Sequence, residues 1–263
     1  MSMHSILLTH IPLKRGDVVS IVGSGGKTTL MYHLARELTT KGMRVITTTT
    51  TKIFPPHASE SPRLIIAENE ERLIKNTQEA LQGENQVTVA EKFIGPKLKG
   101  LSLTLIDTMR EQEIADVILI EADGAKHRPL KAPNETEPVI PSSTTWTLVV
   151  VGLDGIGKRN TQEHVFRPEY FSRLTGIKEG EMITPDAVAR VILHPEGLTQ
   201  GTPENAGIVV ILNQGEIARD LDAGRELAQF IMKAKNNAIV KVLITSFIPF
   251  PQVMMVFGAE SGK

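Results

Sequence analysis

The chain has 263 residues, of which 41% are hydrophobic and 22% are charged, a composition typical of a globular protein and not of a disordered one. Its formal net charge of -1 excludes a general attraction to nucleic acid or to an anionic membrane, so any anion must be bound by a local cluster. The chain contains no cysteine, which excludes disulfides, thiolate metal ligands and a thiol that carries sulfur or selenium.

The histidines and the first residues bear on metal binding and location. The seven histidines are scattered without the spacing of metal ligands, so we predict no metal held by the protein alone. Near the start, the basic residues follow a short apolar run instead of preceding it, and no later apolar run reaches about 20 residues. We therefore expect a cytoplasmic protein with no membrane and no nucleic-acid partner.

Strands and helices alternate along the first half of the chain. Residues 18–23 are apolar and β-branched, as in a strand covered on both faces, and an amphipathic helix follows at once and ends near Gly42. The apolar side of this helix is formed by Leu30, Met31, Leu34, Ala35 and Leu38. Further strands are predicted at 44–50, 63–68, 87–93 and 116–123, with a helix at 69–81.

The second half continues this alternation. Residues 146–152, 207–213 and 239–247 are predicted strands. One helix opens at Thr184-Pro185-Asp186 and ends at Pro195, and a later one carries Leu227, Phe230, Ile231 and Ala234 on its apolar side. The pattern predicts an α/β fold with a mostly parallel sheet and helices on both faces. The simpler organisation is one domain over 1–263, and a small helical insertion at about 153–206 remains an alternative.

Unusual residues follow five of the predicted strands. In an open α/β sheet, ligands bind beyond the carboxyl ends of the strands. These ends carry the glycine loop at 23–29, Thr50-Thr51-Lys52, Glu121-Ala122-Asp123-Gly124, Gly152-Leu153-Asp154 and Asn213-Gln214. We expect all five to converge on one crevice.

Two glycine loops compete as the phosphate site. The usual pattern is a glycine, four free residues, then Gly-Lys and a serine or threonine. GSGGKTTL at 23–30 has Ile21 in place of the leading glycine, whereas GLDGIGKR at 152–159 has the full spacing but ends in Arg159. A phosphate loop needs backbone N–H groups, a helix N-terminus, a lysine for the outer phosphates and a hydroxyl for Mg²⁺.

The first loop meets these needs and is the predicted phosphate site of a P-loop NTPase-like fold. Its residues are Gly23, Ser24, Gly25, Gly26, Lys27, Thr28 and Thr29. The second loop offers Lys158 but no neighbouring hydroxyl and no amphipathic helix. It is equally compatible with a surface turn and with a part in closing the crevice.

Two acidic residues at the end of the strand at 116–123 suit the metal that accompanies a nucleotide. Asp123 is predicted to hold Mg²⁺ together with Thr28, and Glu121 points the same way in an extended chain. The alternative is that Asp123 caps the next turn. With Lys27, which neutralises developing charge, Asp123 and Glu121 are the candidate catalytic residues.

Other polar residues near the strand ends are candidates for a substrate or a second anionic group. Thr50, Thr51 and Lys52 end one strand, and a basic run follows Asp123. The run, whose alternative interpretation is a solvated loop, comprises Lys126, His127, Arg128 and Lys131. Asp154 and Lys158 of the second glycine loop complete the set.

The motifs together resemble those of the YqeC-type selenium-dependent hydroxylase accessory proteins. The shared stretches are VGSGGKTTL, TTTTTKIF, IEADGAKHRPLKAPNETEPVIP, GLDGIGK followed by HVFRPE, and ITPDAVARVILHPEG. The resemblance spans roughly residues 15–216 and is most specific at 121–141. It implies a nucleotide-binding accessory factor for selenium-dependent molybdenum hydroxylases, with Mg²⁺ and ATP or GTP as cofactors and the hydroxylase or its cofactor as client.

One departure concerns the nucleotide base. Members of this family carry Asn-Lys-x-Asp where this chain has Asn213-Gln214-Gly215-Glu216, so base binding by Asn213 and Glu216 is expected to be altered. The glycine loop alone is also similar to the short Gly-x-x-Gly-Lys-Thr of the Mur ligases, which leaves a Mur-ligase-like phosphoryl transfer as one alternative. No residue stands out in the sequence as a base that positions water, so slow or partner-stimulated nucleotide hydrolysis is expected, and a nucleotide-gated binding module without turnover is the other alternative.

Overall fold

The computed structural model describes residues 6–234, 236, 238–248 and 250–258. Within them the chain forms two compact units. The first contains the chain up to Ile21, Thr28–Gly124 and Val139–Trp146, and the second contains Val22–Lys27, Ala125–Pro138 and the chain from Thr147 onward. The organisation as one domain over 1–263, with its alternative insertion, stays a prediction.

The helices and strands alternate in chain order. The strands are β1 (Asp17–Gly23), β2 (Val45–Thr49), β3 (Lys52–Ile53), β4 (Leu64–Ile65), β5 (Gln86–Val89), β6 (Lys92–Ile94), β7 (Lys97–Lys99), β8 (Val117–Glu121), β9 (Leu130–Lys131), β10 (Trp146–Gly152), β11 (Val165–Phe166), β12 (Gly207–Asn213), β13 (Ile239–Ser246) and β14 (Gln252–Phe257). The helices are α1 (Lys27–Thr40), α2 (Glu70–Gly83), α3 (Leu103–Glu111), α4 (Pro168–Thr175), α5 (Pro185–Leu193) and α6 (Ala218–Lys233).

The first unit is built on parallel strands in the order β1, β8, β2, β5 and β4. All residues of β1, β2 and β8 are buried, which is typical of a parallel sheet covered on both faces. Glu121 at the end of β8 pairs in register with Ile21 on β1 and with Thr49 on β2. A separate antiparallel sheet is formed by β3, β7 and β6.

The second unit contains the strands β10, β12, β13 and β14 in that order. Strands β12 and β13 are parallel, and β14 adds an antiparallel edge. The short strands β9 and β11 pair in parallel outside this sheet. Helix α5 is capped by Thr184, whose hydroxyl accepts the Ala187 N–H, and begins with Pro185, because proline lacks the N–H that an N-terminus leaves unpaired.

The predicted fold class, a mostly parallel α/β sheet with helices, is confirmed. Leu30, Met31, Leu34, Ala35 and Leu38 are all fully buried, as the amphipathic pattern of α1 predicts. No helix in the described part of the chain is long and apolar enough to span a membrane.

Several details of the elements were predicted wrongly. The strand predicted at 87–93 is two strands, β5 and β6. After Val89 the chain leaves the parallel sheet of the first unit and joins the antiparallel sheet of β3, β7 and β6. Helix α6 ends at Lys233, so Ala234 is exposed and Phe230 is only half-buried. The two-residue strand β9, in which Leu130 and Lys131 are buried, was not predicted.

Candidate nucleotide-binding site

The first glycine loop is a tight turn that only glycine fits. Gly23, Gly25 and Gly26 have φ angles of +94°, +78° and +128°, which side chains rarely adopt. A Cβ atom would lie 2.1 Å from the Val150 carbonyl oxygen at Gly23 and 2.4 Å from the Gly152 backbone nitrogen at Gly25. Because these positions lack side chains, the loop backbone can lie close to the backbone of Val150 and Gly152.

Lys27 and Ser24 fix the loop from within. Helix α1 begins at Lys27, so its unpaired N-terminal N–H groups follow the glycines directly. Lys27 is 5% exposed, and its ammonium donates to the Gly23 carbonyl oxygen over 2.7 Å, so the side chain folds back across the loop. The Ser24 hydroxyl donates to the Pro129 carbonyl oxygen over 2.8 Å.

Asn213 supports the same loop from β12. Its amide nitrogen donates to the Gly25 carbonyl oxygen over 2.8 Å, and its Oδ1 accepts from the Thr245 hydroxyl over 3.3 Å. The Asn213 side chain is therefore hydrogen-bonded to the first glycine loop. Glu216, the other predicted base contact, is exposed.

The second glycine loop packs against the first. The Gly152 N–H donates to the Pro129 carbonyl oxygen over 3.0 Å, the same oxygen that accepts from Ser24. A short 3-10 turn, Leu153–Gly155, follows, Lys158 is exposed, and the next helix begins only at Pro168. This loop offers no helix N-terminus beside its lysine.

Two buried oxygens lie beside Gly152 of the second loop. Within the described residues, Asp154 Oδ1 and Gln214 Oε1 are buried and accept no hydrogen bond. A Cβ atom on Gly152 would lie 2.3 Å from Gln214 Oε1 and 3.0 Å from Asp154 Oδ1, so both oxygens approach the same bare backbone. The φ angle of Gln214 is +69°, a strained value for a residue with a side chain.

Asp154 holds its proton more tightly than an ordinary aspartate. Burial raises the pKa of Asp154 above its ordinary value, and the negative charges of Asp220 and Glu216 raise it further, while the Lys158 ammonium opposes the shift. The ionised form of Asp154 therefore lowers the stability of the folded state.

The predicted metal-binding residues belong to the first unit. The Thr28 hydroxyl, in the first turn of α1, donates to Glu121 Oε2 over 2.6 Å, whereas Thr29 is exposed. Glu121 is 8% exposed and Asp123 is completely buried. The structure brings Thr28, the predicted metal ligand, together with Glu121.

The threonines that end β2 are held by the backbone. The Thr49 hydroxyl donates to the Glu121 carbonyl oxygen over 2.6 Å, and the Thr50 hydroxyl donates to the Val139 carbonyl oxygen over 2.7 Å. Thr51 donates its N–H to the Thr49 hydroxyl over 3.0 Å. Lys52 begins β3 and is exposed. Thr50 and Thr51 therefore shape the end of β2 through hydrogen bonds.

The basic run does not behave as a single solvated loop. Lys126 and His127 are exposed and Arg128 is half-buried. The Lys131 side chain is 0% exposed and forms an ion pair with Glu137 over 3.0 Å. Lys131 was predicted only as part of a charged run, and its partner was missed because an ion pair across a turn has no signature in the sequence.

Arg167 and Phe166 were also missed. Arg167 forms an ion pair with the same Glu137 oxygen over 2.8 Å, and its Cζ lies 4.6 Å from the centre of the Phe166 ring. Both residues belong to the HVFRPE stretch, which marked the resemblance but suggested no role.

Among the residues that the structure describes, no group of three or more histidine, aspartate or glutamate side chains is arranged to hold a metal ion.

The strand ends fall into two local groups. The first and second glycine loops and Asn213 meet in the second unit, and Thr28 meets Glu121 in the first. The convergence of all five ends on one crevice stays a prediction.

A buried parallel strand, a glycine turn with positive φ angles and a helix beginning at the lysine define an α/β protein of the P-loop type. The family profile described as YqeC protein matches residues 19–169, more than half of the chain. The YqeC protein of Escherichia coli strain K12 is 31% identical over 233 residues, which are 86% of this chain and 87% of that protein. This chain belongs to the YqeC family.

Two solved structures share a weak likeness. FtsY from Mycoplasma mycoides has a TM-score of 0.35 and 14% identity, over 93% of this chain and 64% of that chain. The signal recognition particle receptor FtsY from Elizabethkingia anophelis, in complex with GDP, has a TM-score of 0.32 and 14% identity, over 88% and 49% of the two chains. Likeness at this level carries no argument about ligands.

Proposed function

We propose that this protein binds a nucleoside triphosphate with Mg²⁺ at the loop Gly23–Thr29 and acts as an accessory or maturation factor for selenium-dependent molybdenum hydroxylases. The observation that carries the proposal is the loop itself. Three glycines with positive φ angles lead directly into α1, whose first residue is the buried Lys27. Backbone N–H groups at a helix start and a nearby ammonium suit a polyphosphate.

The residues fit the predicted cofactor at two points. Lys27 would contact the outer phosphates in exchange for its bond to the Gly23 carbonyl oxygen. Thr28 and Glu121, already hydrogen-bonded to each other, supply a hydroxyl and a carboxylate, oxygen ligands of the kind that Mg²⁺ takes in phosphate sites. Asp123 would hold the ion directly or through water. The ion, when bound, neutralises negative charge on the phosphates.

The nucleotide base is proposed to be weakly selected. Asn213 is occupied by the phosphate loop through the Gly25 carbonyl oxygen, which suits a supporting role better than a base contact. Gln214 and Glu216 replace the lysine and aspartate that the family carries at these positions. Glu216 can still accept hydrogen bonds from guanine, but with a longer side chain. Both ATP and GTP remain candidates.

The client part of the proposal rests on the resemblance of the motifs to those of the selenium-dependent hydroxylase accessory proteins. A chain without cysteine has no thiol on which selenium could be carried, so selenium would stay on the client or on its cofactor. No residue stands out as a base that positions water, which favours slow turnover or stimulation by the client. A nucleotide-gated binding module without turnover, or a Mur-ligase-like phosphoryl transfer, is the second candidate.

The test is nucleotide binding and phosphate release with Mg²⁺, with and without a molybdenum hydroxylase. We expect binding to depend on Mg²⁺ and release to rise when the hydroxylase is added. Thr28→Val, which removes the hydroxyl at nearly constant volume, should weaken Mg²⁺-dependent binding at least about tenfold, whereas Thr28→Ser should retain it. Binding without release would favour the gated module, and equal binding by Thr28→Val would remove Thr28 from the metal site.

A further inference from the structure

The small antiparallel sheet of the first unit carries a row of lysines. In the register of this sheet, Lys99 on β7 lies opposite Lys52 on β3 and opposite Lys92 on β6. Residues directly opposite each other in a sheet share a face. Three lysine side chains therefore form one row across the three strands.

A second row on the same face adds one more lysine and two apolar side chains. Lys97 precedes Lys99 by two positions on β7 and so returns to the same face. It lies opposite Ile94 on β6, and its ammonium nitrogen lies 4.7 Å from the centre of the Phe54 ring. We name the two rows the lysine face, which comprises Lys52, Lys92, Lys97, Lys99, Phe54 and Ile94.

The two faces of this sheet differ in burial. Ile53 on β3 and Leu98 on β7 lie opposite each other on the other face, and both are buried. On the lysine face, Phe54 is 50% exposed and Ile94 is 39% exposed, and the Lys92 side chain is exposed as well. The sheet therefore packs on the protein with one face and presents the lysine face to solvent.

The lysine face has more positive than negative charge. Glu91, which precedes β6, forms ion pairs with Lys92 over 3.4 Å and with Lys99 over 2.6 Å. Lys52 and Lys97 form no ion pair with any carboxylate that the structure describes. Four lysines and one glutamate leave a surplus of three positive charges in a protein whose formal net charge is -1.

This arrangement lowers the stability of the isolated chain. Like charges directly opposite each other on neighbouring strands are destabilising, and the row of Lys52, Lys99 and Lys92 places three ammonium groups in that relation. A partner that brings negative charge would turn this repulsion into attraction. The charges of the lysine face are therefore better matched in a complex.

We propose that the lysine face is a docking surface for an acidic segment of a partner protein. Neighbouring strands are about 4.8 Å apart and alternate residues of a strand about 7 Å apart, so the lysines occupy an area that one strand or one helix can cover. Carboxylates of the segment pair with Lys52, Lys92 and Lys97. An apolar side chain between them covers Ile94 and Phe54.

Other anionic partners fit the lysine face less well. Single-stranded nucleic acid stacks successive bases on aromatic rings, whereas this face has one ring, Phe54, and the Lys97 ammonium lies over it. A membrane-binding hairpin inserts large apolar side chains, whereas the turn between β6 and β7 consists of Gly95 and Pro96. The carboxylates of a polypeptide need neither feature.

The proposal stands apart from the proposed function. All residues of the lysine face belong to the first unit, and docking of an acidic segment requires no nucleotide. Lys52, which the sequence analysis predicts to contact a substrate or a second anionic group, is here a contact for the acidic partner.

The test is the binding of a short fluorescent peptide, in which glutamate alternates with leucine and serine, to the full chain without nucleotide. Fluorescence anisotropy measures the dissociation constant. We expect saturable binding that salt weakens, and a constant at least about tenfold higher in Lys92→Gln/Lys97→Gln. The matched control Lys41→Gln/Lys75→Gln removes two exposed lysines elsewhere in the same unit and should keep the constant within about twofold.

Thermal unfolding separates docking from a structural role of the lysines. Because the lysines repel one another, Lys92→Gln/Lys97→Gln should melt at a temperature at least as high as that of the wild type. A lower melting temperature would assign the lysines to the stability of the sheet and overturn the proposal.

Four further results would overturn it. They are no saturable binding of the acidic peptide, equal binding of a peptide with glutamine in place of each glutamate, an unchanged constant in Lys92→Gln/Lys97→Gln, and an equal loss in the control variant. Two other probes are a thymidine oligonucleotide and vesicles of phosphatidylcholine and phosphatidylserine. If either binds more tightly than the peptide and depends on Lys92 and Lys97, the lysine face belongs to nucleic acid or to a membrane, and the proposal is wrong.

Discussion

Asp154 of the second glycine loop places a carboxylate oxygen in a buried position, without a hydrogen-bond donor in the part of the chain that the structure describes. Its Oδ1 is buried and accepts no hydrogen bond among the described residues, and Gln214 Oε1 beside it is in the same state. Buried acceptor oxygens without a donor destabilise a fold. A proton on Asp154 removes a buried negative charge, and burial is the main cause that raises the pKa of Asp154.

Asp154→Asn is expected to raise the melting temperature at neutral pH. A raised pKa means that the folded state binds the proton more tightly, so this stability is present below about pH 3.8, the ordinary value, and is lost as the pH rises through the folded-state pKa. The gap between the variant and the wild type should therefore be widest at neutral pH and close as the pH falls. Thermal melts from pH 4 to 8 measure it, with the exposed Asp222→Asn as control, and a gap that widens on acidification would refute the assignment.

Glu216 decides how much base recognition survives. A pair of charge-assisted hydrogen bonds is worth about 1.5 to 3 kcal/mol each, so an intact aspartate would separate guanine from adenine by orders of magnitude. With glutamate here, and with the uncharged Gln214 beside it, we predict affinities for GTP and ATP within about tenfold of each other. Competition binding on wild type and Glu216→Ala measures this, and a hundredfold guanine preference lost in the variant would show that the motif still works.

At the scale of elements, the first glycine loop has no room for side chains at its glycine positions. Gly25 and Gly42 have nearly the same φ, +78° and +74°, but a Cβ on Gly25 would meet the backbone of Gly152 at 2.4 Å, whereas one on Gly42 would meet nothing within 4 Å. The two glycines therefore separate backbone strain from steric conflict.

Gly42→Ala should cost about 1 to 2 kcal/mol of unfolding free energy, because a side chain is strained in the left-handed region. Gly25→Ala should cost about 1 to 3 kcal/mol more, because backbone must move as well. Urea unfolding measures both variants. Gly42→Ala should keep its affinity for Mg²⁺-nucleotide, and Gly25→Ala should lose most of it; equal effects of the two variants would mean that the packing of the two loops is unimportant.

Elements with strong local signals were predictable. The buried strand β1 and the apolar stripe of α1 follow from residue types and their spacing. The short pair β9 and β11 was not predictable, because two-residue strands have no periodicity and their pairing joins segments that are distant in sequence. The partner of Lys131, Glu137, could be seen only in the structure, because an ion pair across a turn has no signature in the sequence.

At the scale of the whole molecule, the order of strands and helices was largely readable from the sequence, and the contacts between them were not. The parallel sheet follows from the alternation of strands and helices. The antiparallel strand β14 and the sheet of β3, β6 and β7 depend on pairing that composition does not specify. The candidate site divides similarly: its residue types were predicted, but the bond between Thr28 and Glu121 was not.

The central claim is that the first glycine loop, and not the second, binds a nucleotide. It is tested most directly by thermal unfolding with Mg²⁺ and ATP or GTP. At about 100 times the dissociation constant the gain is about 2.7 kcal/mol, a melting shift of roughly 5 to 10 °C for a chain of this size. Lys27→Ala should abolish most of the shift, and Lys158→Ala should keep binding within about threefold. A full shift in Lys27→Ala, or an equal loss in Lys158→Ala, would contradict the claim.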